Sequence, residues 1–355
     1  MVNASADRPV VALVLAGGTG SRLYPASRAD RPKQFLPLLG EESLLSRTVE
    51  RAREVADEVV VSTRPAFAEA IPDHAPDAEV VVEPAARDTG PALVYATHCV
   101  RDLYGDCVVV ALPSDHRVEG DFADTMRRGA RVAADTGSLV TFGVEPTRPD
   151  TGYGYIEPGI FVGEGGEGSE KGEDENGYAP VAAFHEKPDA ETAEKYVDAG
   201  HYWNAGIFAW TPAALLDAAR DTPLSGLVAA LDAGDDAEAA FEDVPEVSID
   251  YGVMERAADA VVVPATFEWD DLGSWDALER VLDPDEDGSV VAGDATLRSV
   301  DAADNVVAGD DKHVSLVGVS DLAVVAWDDR VLVVPKSRAQ DVRDLADELK
   351  SRGEF

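Results

Sequence analysis

The sequence predicts an α/β protein built on a mainly parallel sheet and followed by a small all-β segment. Short β-branched runs alternate with amphipathic stretches, the pattern of parallel strands joined by helices. The first run, Val10–Leu15, is almost entirely apolar, as strands buried on both faces are, and it ends in a glycine-rich turn. From about Asp283 the pattern changes to short valine-rich runs separated by Gly and Asp. We therefore predict two domains, residues 1–282 and residues 283–355.

The predicted elements of the larger domain continue this alternation along the chain. After the first strand we expect strands at residues 58–62, 79–83, 106–112 and 138–143, and helices at residues 43–55 and 88–104. Two more strand-like runs, 153–157 and 181–186, flank residues 163–177, which are rich in Gly, Glu, Asp and Ser. That composition predicts a solvated hairpin loop.

The smaller domain consists of short strand-like runs closed by a helix. The runs lie at residues 290–291, 305–307, 314–319, 322–325 and 331–334. Residues 338–351 carry apolar side chains at helical spacing, so we predict a terminal helix that packs back on the strands.

The charge balance restricts the partners of this chain. Its 69 acidic and 30 basic residues give a formal net charge of −39, which excludes nucleic acid and anionic membranes as partners. At molar salt the Debye length is only about 3 Å, so such self-repulsion is tolerable in a salt-accumulating, halophilic cytoplasm. The first apolar run is too short for a signal peptide or a membrane span. We therefore expect a soluble cytoplasmic protein.

The turn after the first strand has the properties of a phosphate-binding loop. Its glycines, Gly17, Gly18 and Gly20, let backbone N–H groups approach phosphate oxygens, and Arg22 and Lys33 add two cations. A dinucleotide-binding fingerprint would need a third glycine where Leu23 stands, and a P-loop would need Gly-Lys-Ser/Thr after the turn. A glycine turn without a ligand would leave the two cations unexplained. The pattern therefore indicates a nucleoside triphosphate site.

Two acidic segments are candidates for a metal site. Asp115 follows the predicted strand 106–112, at the sheet edge where ligands bind in α/β folds, and Asp271 lies in an aromatic-bounded run. Mg²⁺ is held by one or two carboxylates together with phosphate oxygens. The alternative is a solvated surface carboxylate, which is common in so acidic a chain. The six histidines do not recur at ligand spacing, so no zinc site is expected, and His116 is assigned a structural role.

The motifs, taken in order, resemble those of the sugar nucleotidyltransferases, and within them the mannose-1-phosphate guanylyltransferase group. The resemblance covers most of the chain. It rests on residues 15–25, 31–36, 83–92, 112–116, 152–157, 184–188, 203–208, 248–255 and 269–275.

The resemblance implies a Rossmann-like, mixed but mainly parallel nucleotidyltransferase domain of GT-A-like type and a C-terminal domain like a left-handed β-helix. It implies transfer of GMP from GTP to mannose 1-phosphate, with Mg²⁺ as cofactor and a possible homodimer. The implied catalytic residues are Arg22, Lys33 and Asp115, and the implied metal ligands are Asp115 and Asp271. The implied nucleotide-binding residues are Leu15, Ala16, Gly17, Gly18, Thr19, Gly20, Ser21, Glu83, Pro84, Arg87, Asp88, Thr89 and Ser114. The implied sugar-phosphate ligands are Gly154, Glu157, Glu186, Lys187 and Asn204.

Two departures from the family pattern bear on this interpretation. Asp88 stands where the family usually has Asn, which removes hydrogen-bond donors beside the nucleotide and adds negative charge. Asp270 adds a carboxylate next to Asp271 and competes with it as the metal ligand. Two other functions stay open: transfer to another sugar 1-phosphate, such as glucose 1-phosphate with UTP or dTTP, and a non-catalytic subunit that senses nucleotide sugars.

Overall fold

A mixed nine-stranded sheet forms the centre of the larger part of the chain. The structure is a computed structural model that describes residues 8–163, 168–169 and 177–355. The strands of this part are, in chain order, β1 (Val10–Leu15), β2 (Glu58–Thr63), β3 (Glu79–Val82), β4 (Val108–Pro113), β5 (Arg117–Gly120), β6 (Leu139–Val144), β7 (Tyr155–Pro158), β8 (Phe161–Val162), β9 (Gly168–Ser169), β10 (Ala179–His185), β11 (Tyr202–Trp210), β12 (Ala260–Pro264) and β13 (Phe267–Asp270).

The strand order in the large sheet is β3-β2-β1-β4-β11-β6-β12-β10-β7. Strand β1 pairs in parallel with β2 and β4, and β6 pairs in parallel with β12. Only β10 and β11 run against the common direction among these strands, since each pairs in antiparallel fashion with its neighbours. The mainly parallel sheet expected from the sequence is therefore confirmed, and its carboxyl edge gathers the turns that follow β1 and β4.

Helices cover both faces of this sheet. They are α1 (Leu44–Arg53), α2 (Ile71–His74), α3 (Thr89–Tyr104), α4 (Phe122–Thr136), α5 (Ala190–Asp198), α6 (Pro212–Ala219), α7 (Ser225–Ala233), α8 (Ala237–Glu242) and α9 (Ile249–Gly252). Two further helices, α10 (Leu278–Val281) and α11 (Val342–Arg352), pack in a separate core cluster and not on this sheet. Successive side chains of β1 point to opposite faces of the sheet and so belong to two different core clusters. Ala12 and Val14 pack in the cluster under α1 and α4. Val11 and Leu13 pack in the cluster under α3 and α6.

Polar caps define where the helices that flank the site begin. The Ser43 hydroxyl accepts a hydrogen bond from the backbone N–H of Ser46 and starts α1. The Asp88 carboxylate accepts from the N–H of Thr89 at 2.7 Å and starts α3. These two helices were predicted at residues 43–55 and 88–104, and both predictions are confirmed to within two residues.

The last strands form a β-helix-like stack, in which equivalent residues of successive turns lie above one another. The strands are β14 (Val290–Gly293), β15 (Thr296–Val300), β16 (Val306–Gly309), β17 (His313–Val317), β18 (Leu322–Trp327) and β19 (Arg330–Pro335). Strands β14, β16 and β18 pair in parallel as one wall, and β15 and β17 pair in parallel as another. A Cβ on Gly293 would lie 2.5 Å from the carbonyl oxygen of Gly309, so the tight stacking requires glycine at this corner.

The β-helix-like part shares a core with the larger part of the chain. Leu23 and Trp275 pack in one cluster with Val325 of β18 and Val342 of α11. The indole N–H of Trp275 donates to the carbonyl of Tyr24 at 2.9 Å. The C-terminal helix therefore lies beside the short helical turn Ser21–Leu23 that follows the glycines. The domain division at residue 282 falls between α10 and β14 and stays a prediction.

Several elements were not predicted from the sequence, among them the central strands β11 and β12 and the helices α2 and α4 to α10. Strands β5 and β13 are short and, among the described strands, pair only with each other, in antiparallel fashion. Strand β15 is exposed at alternate residues and carries no continuous valine run. Most of residues 163–177, predicted to be a hairpin loop, lies outside the described residues. Among the described helices, none combines the length and the apolar character needed to cross a membrane.

Candidate active site

The loop after β1 is held at the carboxyl edge of the sheet by its neighbours. The N–H of Ala16 donates to the carbonyl of Ser62 at 2.8 Å, and the N–H of Ser114 donates to the carbonyl of Leu15 at 3.1 Å. Ala16 itself is fully buried. These bonds fix the start of the loop against the ends of β2 and β4, where the sequence placed a ligand crevice.

Gly20 brings Lys33 against this loop. Gly20 has φ of 66°, and a Cβ at this position would collide with the side chain of Lys33. The N–H of Lys33 also donates to the carbonyl of Thr19 at 3.3 Å. Glycine is therefore required at position 20 both by the left-handed backbone and by the close approach of the lysine.

The Lys33 ammonium joins the two acidic segments. Its Nζ lies 2.9 Å from Oδ2 of Asp115 and donates to the backbone carbonyl of Asp271 at 2.5 Å. Burial alone raises the pKa of Asp115, but the nearby Lys33 charge and His116 outweigh burial, and the net direction is down. Asp115 is therefore ionised in the folded protein at neutral pH, beside a buried cation.

The pairing of β5 with β13 explains why Asp115 and Asp271 meet. Arg117 lies opposite Asp270 in this antiparallel ladder, so the residues just before β5 lie beside those just after β13. His116 accepts a hydrogen bond at Nδ1 from the indole N–H of Trp269 at 3.0 Å, and burial lowers its pKa. A neutral His116 thus ties the two segments together, in agreement with the structural role predicted for it.

Asp270 and Asp271 point in different directions, which separates their roles. Asp270 is 5% exposed, and its carboxylate binds the guanidinium of Arg280 at 2.7 Å. The carboxylate of Asp271 accepts from the hydroxyl of Tyr153 at 3.0 Å and from the N–H of Gly273 at 3.0 Å. The Asp270 carboxylate is already paired with Arg280, so of the two aspartates Asp271 is the better candidate for the metal ligand. The hard oxygen donors of Asp115 and Asp271 suit a divalent cation. The Lys33 ammonium lies against the carboxylate of Asp115 and the backbone carbonyl of Asp271.

Two adjoining cavities open around this cluster. One, of about 390 Å³, is lined by Thr19, Gly20, Ser21, Arg22, Lys33, Asp115, His116, Asp271, Gly273, Arg343, Asp347 and Lys350. The other, of about 400 Å³, is lined by Leu15, Gly17, Gly18, Gln34, Ser62, Glu83, Ala86, Asp88, Thr89, Ala92, Leu93, Pro113, Ser114, Asp115, His116, Gly206, Phe208, Ile249 and Asp250. Because Asp115 and His116 line both cavities, the two cavities meet beside the group formed by Lys33, Asp115 and Asp271.

Most of the predicted nucleotide-binding residues line these cavities. Among the three others, Ala16 directs its carbonyl toward Gln34, which donates to it at 2.9 Å. Arg87 donates to the carbonyl of Glu242, and Pro84 is half-buried beside Glu83. In the described part of the chain, Arg22 has neither a hydrogen-bond nor an ion-pair partner, so its charge is available to a ligand.

Glu83 is a buried carboxylic acid at the wall of the second cavity. It is 5% exposed, and a Cβ on Gly17 would lie 2.8 Å from its Oε1. Burial raises the pKa of Glu83 from 4.5 to about 7, and the positive charge of Arg64 opposes this shift. The side chain therefore changes its protonation state close to neutral pH, beside the glycine loop.

Asp88 adopts an unusual backbone conformation. Its φ is 70°, a value that Asp and Asn tolerate better than most residues. Its exposed carboxylate caps α3 through the N–H of Thr89. Either an aspartate or an asparagine meets both demands, which explains how the departure from the family pattern is accommodated by the fold.

The predicted sugar-phosphate ligands form a second polar group near Asp250. A Cβ on Gly154 would lie 2.9 Å from Oε2 of Glu186, and Lys187 Nζ donates to Oε1 of Glu186 at 2.5 Å. The amide of Asn204 donates to Oδ1 of Asp250 at 2.7 Å. Burial raises the pKa of Asp250 to about 6, although its bond to Asn204 opposes this shift. Gly154, Glu186, Lys187 and Asn204 are thus brought together.

Glu157 lies on the opposite face of the sheet from these four residues. Side chains alternate along β7, so Glu157 shares a face with the buried Tyr155 and not with Gly154. It contacts His185 and His201 at 3.5 and 3.8 Å. The structure therefore does not bring Glu157 to the other predicted sugar ligands, and its role as a sugar ligand stays a prediction.

Some residues of the site were missed in the sequence. Arg343 and Lys350 of α11 line the cavity of Arg22, but their spacing in an amphipathic helix is that of ordinary surface residues. Tyr153 and Asp250 lie inside motifs that were recognised, and only the tertiary contacts show that they face the site.

Comparison with known proteins places this geometry in a family. A family model described as "Nucleotidyl transferase" matches residues 11–288, and one described as "MannoseP isomerase/GMP-like beta-helix domain" matches residues 298–349. Mannose-1-phosphate guanylyltransferase of Klebsiella pneumoniae is 36% identical over 359 residues, covering 95% of this chain and 73% of the relative. The xanthan biosynthesis protein XanB of Xanthomonas campestris pv. campestris (strain ATCC 33913 / DSM 3586 / NCPPB 528 / LMG 568 / P 25) is 37% identical, covering 97% and 74%.

A solved structure supports the same relationship at the level of the fold. The crystal structure of mannose-1-phosphate geranyltransferase from Thermus thermophilus superposes with a TM-score of 0.87 at 35% identity, covering 96% of this chain and 99% of that one. Both the large sheet and the β-helix-like stack are included in this match. The chain belongs to the nucleotidyl transferase family.

Proposed function

We propose that this chain transfers GMP from GTP to mannose 1-phosphate, forming GDP-mannose and releasing pyrophosphate. The observation that carries the proposal is the meeting of a glycine loop, two cations and two carboxylates at the carboxyl edge of the sheet, with Lys33 Nζ between Asp115 and Asp271. The relatives named mannose-1-phosphate guanylyltransferase, about a third identical over nearly the whole chain, support the choice of substrates.

The nucleotide side of the reaction uses the two adjoining cavities. We assign the base to the wall formed by Glu83, Asp88 and Thr89, and the triphosphate to the loop from Gly17 to Arg22. Backbone N–H groups of the loop complement phosphate oxygens. Arg22, which has no partner among the described residues, and Lys33 offset the charge that accumulates on the departing pyrophosphate.

The acidic pair supplies the place for a divalent cation. Asp115 and Asp271 would hold Mg²⁺, which, when bound, neutralises phosphate charge and draws the two substrates together. The carboxylate of Asp271 is oriented for this by the hydroxyl of Tyr153 and the N–H of Gly273. Oxygen-only donors of this kind favour a hard cation over a softer transition metal.

The sugar side is assigned to the polar group around Asp250. Asn204 and Glu186 offer an amide and a carboxylate to sugar hydroxyls, and Lys187 offers an ammonium to the sugar's phosphate. A phosphate oxygen of mannose 1-phosphate is already an anion, so it attacks the α-phosphorus of GTP in line without a protein nucleophile. Catalysis then consists of positioning and charge neutralisation.

The test is pyrophosphate release, in concentrated KCl with Mg²⁺, from GTP, ATP, UTP or dTTP combined with the 1-phosphates of mannose, glucose or N-acetylglucosamine. We expect GTP with mannose 1-phosphate to give the highest kcat/KM. A different winning pair would correct the substrates and keep the reaction type. Binding of nucleotide sugars without turnover of any pair would overturn the proposal in favour of a regulatory subunit.

Matched variants test the residue roles. We expect Arg22→Ala and Asp115→Asn to lower kcat by about 10²-fold or more without changing the circular dichroism spectrum. The controls are Arg298→Ala in β15 and Asp135→Asn near the end of α4, both remote from the cavities. Equal losses in the variants and their controls would contradict the assignment.

A further inference from the structure

Glu157, His185 and His201 form a cluster that the proposed reaction does not use. His185 ends β10, Glu157 lies in β7, and His201 directly precedes β11. The antiparallel pairing of β7 with β10 and β11 sets all three on one face of the sheet edge. The candidate ligand atoms of the three side chains lie within 4.8 Å of one another.

Two distances in this cluster are close to those between ligands of a small tetrahedral ion. Oε2 of Glu157 lies 3.5 Å from Nε2 of His185 and 3.8 Å from Nε2 of His201. Ligands about 2.0–2.1 Å from a tetrahedral zinc ion are about 3.3–3.4 Å from one another. The two distances from the carboxylate oxygen thus exceed this ligand spacing by a few tenths of an ångström, and the two histidines, whose ligand atoms lie within 4.8 Å, would move toward each other on binding one ion.

His185 adds a second, independent observation. Within the described part of the chain, its Nε2 is buried and has no hydrogen-bond partner, although the side chain as a whole is 28% exposed. A buried ring nitrogen without a partner is costly in a folded protein unless it is satisfied by a ligand or an ion. The nitrogen lies 3.5 Å from Oε2 of Glu157, the same carboxylate oxygen that His201 approaches.

Both imidazole rings are held in place by Tyr196 of α5. The Tyr196 ring stacks on His185 with centroids 4.4 Å apart and on His201 with centroids 4.8 Å apart. The N–H of His201 also donates to the backbone carbonyl of Tyr196 at 3.0 Å. The ring orientations are thus set by packing before any ion binds, which lowers the cost of forming a site.

We propose that Glu157, His185 and His201 bind a zinc ion on the face of the sheet opposite the sugar-phosphate group. Two imidazoles and one carboxylate are a donor set that zinc accepts, whereas Mg²⁺ prefers oxygen ligands alone. Glu157 is 47% exposed, so the fourth position of the ion is open to water. The zinc site is independent of the nucleotide cavities and of the function proposed for them.

The site also connects to the strand end that carries the sugar group. His185 immediately precedes Glu186 and Lys187, and an ion bound here would link β10 to β7 and to the start of β11. We therefore expect zinc to raise the melting temperature of the protein by linking three strands at the sheet edge.

The test is zinc titration of chelator-treated, desalted full-length protein. Excess Mg²⁺ is kept present so that Asp115 and Asp271 do not take up the zinc. Isothermal titration calorimetry is expected to show one equivalent with a micromolar or lower Kd. His185→Ala and His201→Ala are each expected to weaken this binding at least tenfold, whereas His98→Ala on α3 is the matched control and should leave it unchanged.

Two further measurements keep the test decisive if a variant does not fold. X-ray absorption of the zinc-loaded native protein is expected to show two imidazole nitrogens in the coordination shell. The Co²⁺-substituted native protein is expected to show the visible absorption of a four- or five-coordinate ion. An all-oxygen shell, or zinc affinity that is the same in the two histidine variants and the control, would overturn the proposal.

Discussion

The protonation of Glu83 couples folding stability to pH, and Glu83→Gln is the substitution that isolates it. The carboxyl group is 5% exposed at the wall of the nucleotide cavity, and its burial raises the pKa from 4.5 to about 7. The folded state therefore keeps this proton until neutral pH, whereas the unfolded chain releases it near 4.5. Ionisation of Glu83 consequently favours the unfolded state as the pH rises through this window.

The size of the effect follows from the two pKa values. At about 1.36 kcal/mol for each pKa unit, the difference between 4.5 and about 7 corresponds to about 3 kcal/mol of unfolding free energy. Below pH 4.5 the group is neutral in both states and contributes nothing to the pH dependence. Above about pH 7 it is ionised in both states, so the loss is complete and constant.

The assay measures the unfolding free energy of the native protein and of Glu83→Gln by denaturant unfolding between about pH 4.5 and 8. The difference between the two proteins isolates Glu83, because all other carboxylates are common to both. We expect the stability of Glu83→Gln relative to the native protein to increase by about 3 kcal/mol across this range. Glu79→Gln, at an exposed position of the preceding strand β3, is the control and should show no such change. Parallel stability curves for the native protein and Glu83→Gln would refute the reasoning.

Three other substitutions test the geometry of the site. Gly20→Ala places a Cβ against Lys33 at a left-handed backbone position, so we expect a loss of at least about 1 kcal/mol in denaturant unfolding and a raised KM for GTP. Asp270→Asn leaves the buried end of Arg280 without its charged partner, and we expect a loss of about 2 kcal/mol by the same assay. Arg343→Ala removes a cation from the cavity wall, and we expect a several-fold increase in KM for GTP with normal folding. An unchanged KM in Gly20→Ala would mean that Lys33 is not positioned by this contact. Wild-type stability in Asp270→Asn would mean that Arg280 is satisfied by Asp276 alone, which lies 3.6 Å away. Arg338→Ala, at an exposed position before α11, is the control for Arg343→Ala, and equal KM values in the two would remove α11 from the site.

The local patterns of the sequence were sufficient to predict the fold class and seven of the nine strands of the large sheet, but not the central strands β11 and β12 or the helices α2 and α4 to α10. Strand and helix periodicity located β1, β2, β4 and α3 to within two residues, because burial repeats at fixed intervals along each element. Strands β5 and β13 were missed because each is only four residues long and is stabilised by its partner rather than by its own pattern. The family resemblance was confirmed by the comparisons.

The candidate site could be predicted in part for the same reason. A glycine loop at the end of a buried strand, with Arg22 and Lys33 nearby, is a local pattern that indicates phosphate binding. The partners of these residues come from distant parts of the chain, such as Asp271 and the helix that carries Arg343. No local pattern indicates which distant carboxylate or arginine will arrive at the loop.

The sequence by itself determined the alternation of strands and helices, the phosphate loop with its two cations, and the family, because these depend on neighbouring residues. Only the tertiary structure decided that the Asp270 carboxylate binds Arg280 while the Asp271 carboxylate accepts from Tyr153, since a side chain's direction follows from strand pairing. It also brought together two histidines that the sequence spacing had excluded as a zinc site. The pairing register of strands is set by long-range contacts, so only the folded chain shows which side chains share a face of the sheet.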